Sequence, residues 1–139
     1  MVQESSDRTT YGPQQQLTVN GRVVTDPNDL TEREFIALFA KRSGMYIVRT
    51  DVRSVINFLN GYDAAAGRHG RPLLDGFREW LMANYLGHHS SLAWWALIES
   101  IVLPDRDLAE ALTPEQESQV LEFLFDVLDK FLAERETAG

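Results

Sequence analysis

The apolar positions of this chain recur mostly at helical spacing, and two short stretches break the pattern. Leu17-Thr18-Val19, Asn20-Gly21 and Arg22-Val23-Val24 form a two-residue hairpin signal, because both central positions of a type I′ turn need positive φ. After the break at Asp26-Pro27, Thr31 with Glu34 three residues on makes a capping box. It opens a helix through Phe35, Ile36, Leu38 and Phe39, which Gly44 is expected to close as a C′ residue. Met45-Tyr46-Ile47-Val48 is too short for a helix and suits a third strand beside the hairpin. Thr50 and Asp51 are N-cap candidates for a second helix carrying Val52, Val55, Ile56, Leu59 and Tyr62.

The polar loop Arg68-His69-Gly70-Arg71 then leads to Pro72, a residue suited to a first helical position. Leu73, Leu74, Phe77, Trp80, Leu81 and Tyr85 make the stripe of a third helix ending at Gly87. Ser90 or Ser91 caps a fourth from Leu92 to Val102, stopped by Leu103-Pro104, and residues 105–112 have room for a short helical turn. Thr113-Pro114-Glu115-Gln116 combines cap, N1 proline and N3 glutamine, and starts a last helix running to about Arg135. The pattern predicts a mainly α fold: a compact bundle of about five helices with a short N-terminal β-hairpin. Residues 1–15, polar with Gly12-Pro13 and three glutamines, read as a flexible tail, and 16–139 as a single helical domain.

Two glycines sit beside aromatics, in Asn60-Gly61-Tyr62 and Asp75-Gly76-Phe77. Glycine inside a helix costs about 1 kcal/mol relative to alanine. The pair therefore suggests helices that cross closely; the alternative for Asn60-Gly61 is an early helix end.

Charge is unevenly placed. Residues 1–98 hold ten acidic and ten basic side chains, whereas residues 99–139 hold eleven acidic against three basic and so carry the whole net charge of −8. Such a lobe repels nucleic acid and anionic membranes and steers basic partners. On the last helix, Glu115, Glu122, Asp126 and Asp129 fall within about 40° of the direction opposite Leu124, while Val120, Leu121, Val127, Leu128 and Phe131 gather about it. Phe123 and Phe125 lie on the two flanks. Either this helix packs between two neighbours, the preferred reading, or its flanks are a contact surface.

Catalytic signals are absent from the motifs. His69, His88 and His89 have no acidic residue at helical metal-ligand spacing, Ser90-Ser91 lacks a nucleophile elbow, and Gly67-Arg68-His69-Gly70 lacks the spacing and lysine of a phosphate loop. With no cysteine there is neither a thiol nucleophile nor a thiolate metal site. No enzyme activity, metal or cofactor is expected. No apolar run reaches a bilayer span and the first residues lack signal-peptide character, so a cytoplasmic location is expected. Trp94 and Trp95 are adjacent; one faces the core, and the other is a candidate contact anchor.

The ordered blocks Arg42-Ser43-Gly44-Met45-Tyr46-Ile47, Phe58-Leu59-Asn60-Gly61-Tyr62, Gly76-Phe77-Arg78-Glu79-Trp80-Leu81, Leu92-Ala93-Trp94-Trp95 and Leu124-Phe125-Asp126-Val127-Leu128 carry a likeness. They resemble small, largely uncharacterised helical bacterial proteins, common in actinobacteria, some of which are similar to immunity proteins of polymorphic toxin systems. The likeness covers about residues 30–135 and departs at Ser43, where the pattern has proline. It implies an immunity-like inhibitor; with the acidic lobe, the expected partner is a basic protein toxin such as a nuclease, and the charge pattern of the last helix and the Trp94-Trp95 pair, not the likeness, give Glu115, Glu122, Asp126, Asp129 and Trp95 as partner-binding residues. The alternative is a non-catalytic structural or regulatory module that self-associates, as a homodimer, through Phe123, Phe125 or the outward tryptophan.

Overall fold

A computed structural model describes residues 17–107 and 109–138 of the chain. The tail assigned to residues 1–15 lies outside the described residues. Among the described residues the architecture is mainly helical, with five α-helices and a two-stranded antiparallel hairpin near the N-terminus. In order, these are β1 (Leu17–Val19), β2 (Arg22–Val24), α1 (Glu32–Lys41), α2 (Val52–Gly67), α3 (Phe77–Leu81), α4 (Trp94–Val102) and α5 (Pro114–Ala138).

Local chemistry sets most element starts. Asn20 and Gly21 have φ of 52° and 77°, as a type I′ turn demands, and register Leu17 against Val24 and Val19 against Arg22. Thr31 Oγ1 accepts from Glu34 N while Glu34 Oε1 accepts from Thr31 N, the reciprocal capping box of α1. Asp51 Oδ1 caps α2 by accepting from Ser54 N at 2.8 Å. The backbone amides of Thr113 and Gln116 and their side chains pair in the same reciprocal way at the start of α5.

α5 is the centrepiece and packs against all four other helices. Val120, Leu124, Val127, Leu128, Phe131 and Leu132 are buried along it. On one flank Phe125 meets Phe39 of α1 edge-on at 5.9 Å, and on the other Phe123 meets Tyr85 at 5.3 Å. The half-buried flanking phenylalanines thus fill the seams between α5 and its neighbours. α1 runs antiparallel to α5: Glu32 and Arg33 lie near Arg135 and Asp129, and Phe39 lies near Phe125.

Several expectations are corrected. Met45 to Val48 forms no third strand, because the chain after α1 winds into a 3₁₀ turn: Met45 N donates to Arg42 O, and Tyr46 N and Ile47 N to Ser43 O. α1 accordingly ends at Lys41 with Arg42 as its C-cap, and Gly44 belongs to that turn without a positive φ. The third helix begins at Phe77, not at Pro72. Leu73 and Leu74 reach the core from a non-helical loop held by two side chains: Asp63 Oδ1 accepts from Leu74 N at 2.7 Å, and Arg135 donates to the carbonyls of Pro72 and Leu73. Gly76 enters α3 with φ 84°. Past Leu81 the helix widens into one π turn, Met82–Leu86, which Gly87 closes at φ 76°. α4 starts at Trp94 after Ala93, because Ser90 Oγ turns instead to Leu92 N and no side chain caps the helix. Residues 105–107 and 109–112 make turns and irregular chain rather than helix, with Asp107 Oδ1 accepting from Ala109 N.

The close-approach reading of the glycines is also overturned. α2 continues through an exposed Gly61, and a Cβ built at Gly61 or Gly76 would meet nothing within 4 Å. Gly61 therefore neither ends its helix nor admits a neighbour, and Gly76 is required by its left-handed backbone alone.

Candidate functional site: the acidic face of α5 and the adjoining cleft

The outer face of α5 is set by periodicity. With the core stripe inward, Glu115, Glu122 and Asp126 emerge exposed on the far side. Asp129 lies at the edge of that face and behaves differently. It is half-buried and takes both Arg33 Nε and Nη2, at 2.7 and 3.1 Å, beside a cleft under the hairpin. That hydrogen bond raises the Arg33 pKa above its ordinary value.

The lobe's three cations are all engaged inside the molecule. Arg106 pairs with Glu99 at 3.0 Å, Arg135 with Glu32 at 2.8 Å and Lys130 with Asp126 at 3.1 Å. Only the last pair stands in the open, with both side chains more than half exposed, where such pairs contribute little and exchange readily. Of the eleven carboxylates in residues 99–139, Glu99, Asp126 and Asp129 have a cation within 4 Å among the described residues. The other eight do not. The acidic excess read from composition is therefore expressed as surface field.

At the amino end of α5 a cleft of about 890 Å³ opens between α2, α4, Glu117 of α5, Arg106 and residues 109–112. Asp51, Arg53, Asn57, Trp95, Glu99, Arg106, Glu110 and Glu117 line it. Trp94 is buried at 8% exposure, with its indole N–H donating to Asn60 Oδ1 at 3.0 Å, whereas Trp95 is 39% exposed on the cleft wall. The adjacent pair thus divides between core and surface. Glu117 spends one oxygen on Val52 N at 3.3 Å. Arg106 is held by Glu99 and by the carbonyl of Glu110.

The cleft joins four segments distant in the chain, and apart from Trp95 its residues carry no motif that announces them. The one available signal was the acidic bias of residues 99–139.

His69, His88 and His89 are exposed, and His88 Nδ1 lies 3.0 Å from the carbonyl of His89. Among the described residues no group of three His, Cys, Asp or Glu is placed to hold a metal ion, and no helix is long and apolar enough to cross a membrane. The arrangement presents fixed carboxylates, one exposed indole and a concave wall. No protein-family model, curated protein or solved structure matches the chain.

Proposed function

We propose that the protein is an immunity- or antitoxin-like inhibitor that docks the acidic outer face of α5 on a basic protein toxin and so covers its active site. The observation that carries this reading is the charge arrangement of the lobe. Its three cations are tied into intramolecular pairs, and Glu115 and Glu122 stand exposed with no cation of the described residues beside them. A rigid 25-residue helix presents these carboxylates in fixed register, which lowers the ordering cost of binding. Electrostatic complementarity of this kind accelerates association and steers the partner into place. Trp95, at the end of the same helix's cleft, supplies an aromatic anchor of the type enriched at interface centres.

The test is a toxicity rescue. The neighbouring open reading frame in the native genome is expressed with and without this protein, and a pull-down of the product follows. Growth should be restored only on co-expression, and association with the captured partner should slow steeply as salt rises. A harmless neighbour together with the absence of any salt-sensitive protein partner would overturn the reading.

A further inference from the structure

The chain holds two Asn-Gly pairs, Asn20-Gly21 and Asn60-Gly61, and the fold places them in opposite settings. Asparagine is a labile residue, most of all before glycine. The glycine nitrogen is unshielded by a side chain, and its permissive backbone lets that nitrogen swing onto the asparagine Cγ. At Asn60-Gly61 the structure forbids the approach. Both residues lie inside α2, where the helix ladder engages the Gly61 N–H, and the Trp94 indole N–H holds Asn60 Oδ1 at 3.0 Å.

At Asn20-Gly21 neither restraint applies. Both residues are exposed at the tip of the hairpin, and among the described residues the Gly21 N–H has no hydrogen-bond acceptor. The Asn20 side chain is tethered through its amide nitrogen, Nδ2, to Glu34 Oε2 at 3.0 Å, which leaves Cγ open to attack.

We propose that Asn20 is a site of spontaneous covalent modification, deamidating through a cyclic imide to aspartate and isoaspartate, while the folded chain protects Asn60. The Gly21 nitrogen gives up its proton and bonds to Asn20 Cγ. The Cγ–Nδ2 bond breaks, and the amide leaves as ammonia carrying that proton. One water then opens the ring: cleavage at Cγ gives aspartate, and cleavage at the main-chain carbonyl gives isoaspartate. The change bears on the junction of hairpin and α1, because Asn20 and Arg22 both grip Glu34. The new carboxylate sets a like charge against Glu34 where a donor stood. Isoaspartate also lengthens the main chain in the two-residue turn that registers Val19 against Arg22. The modified hairpin, which carries the buried Val24, is therefore held less firmly on α1. α5 takes no part, so the proposal is independent of the inhibitor reading.

The full chain is aged warm at mildly alkaline pH, once folded and once in urea, then digested and mapped by peptide mass spectrometry. In the folded sample the mass gain of an amide exchanged for an acid should grow many-fold faster at Asn20 than at Asn60. In urea the two sites should convert at similar rates. Mass separates this reaction from isomerisation at Asp75-Gly76, which forms isoaspartate without changing mass. Conversion of both sites at one rate in the folded chain would overturn the proposal. So would an Asn20 that stays intact while the urea sample reacts. Asn20→Asp, which carries the aspartate product from the start, should speed amide hydrogen exchange in the hairpin and leave α5 unchanged. Identical hairpin exchange in that variant would overturn the weakening of the hairpin junction by the aspartate product.

Discussion

Arg135 and Glu32 stand 103 residues apart in the chain, and their side chains meet at 2.8 Å. The same guanidinium donates to the carbonyls of Pro72 and Leu73 at 3.2 and 2.9 Å and lies over the Phe131 ring at 5.4 Å. One residue near the end of α5 therefore holds the start of α1 and the loop that carries Leu73 and Leu74 into the core.

Removing those bonds leaves two carbonyls of a core-forming loop without their donor. Arg135→Ala is expected to cost about 1–3 kcal/mol, measured by urea unfolding. Glu32→Gln disturbs only the half-exposed ion pair and keeps a neutral acceptor, so its cost is expected to stay below about 1 kcal/mol. Equal losses in the two variants would show that the carbonyl bonds contribute nothing.

The two glycines separate in sign. Gly61 lies inside α2 with open space around it, so Gly61→Ala should stabilise by about 0.5–1 kcal/mol through helix propensity. Gly76 has φ 84°, where a Cβ costs about 1–2 kcal/mol, so Gly76→Ala should lower the melting temperature although no neighbour is in its way. A raised melting temperature for both would mean that the turn before α3 relaxes freely.

These outcomes follow from which parts of the fold were legible in the sequence. The Asn20-Gly21 turn, the capping boxes at Thr31 and Thr113, and the Asp51 cap are satisfied by residues within a few positions, so local pattern sufficed. The inward and outward faces of α5 were legible for the same reason, since one long helix keeps its period. Leu73, Leu74 and Phe77 show helical spacing, yet long-range bonds from Asp63 and Arg135 settle the first two in a loop. Met45 to Val48 has strand composition but no partner edge, and Tyr46 gains more by joining the aromatic cluster of α1 and α2. The cleft wall at Trp95, Glu110 and Glu117 depends on how distant segments meet, and nothing in their spacing encodes that meeting. Asp129 shared the period of the outward face, but Arg33 on a neighbouring helix claimed it.

Glu34 joins the hairpin to α1 and sets an acid limit on that junction. Its carboxylate accepts from Arg22 at 2.7 and 3.0 Å, from Asn20 at 3.0 Å and from Thr31 N at 3.0 Å. The Arg22 bond first, and the Thr31 backbone bond next, lower its pKa to about 2. The folded value lies below the unfolded value of about 4.3, so this contribution is complete above that pH and is lost as pH falls toward the folded value. Wild-type stability should therefore decline from about pH 4.5 toward pH 2. Glu34→Gln should show a shallower decline across that window, read from denaturant midpoints at each pH. An unchanged slope would exclude the Glu34 cluster as its source.

Asp129 and Glu122 share a face of α5 by period but not by environment, and substitution should separate them. Asp129→Asn breaks a two-point bond to Arg33 between half-exposed side chains, so it should lower stability by about 0.5–1 kcal/mol. Its effect on partner capture should be small, because the carboxylate is already satisfied within the molecule. Glu122→Lys touches no hydrogen bond or ion pair among the described residues and should leave the unfolding midpoint nearly unchanged. On the inhibitor reading it should slow association with a basic partner several-fold and flatten the salt dependence, because it reverses a charge in the steering field. Stopped-flow association across a salt series, paired with urea unfolding of the same two variants, checks both halves. If Asp129→Asn slows association more than Glu122→Lys does, the docking surface lies toward the hairpin and not on the outer face of α5.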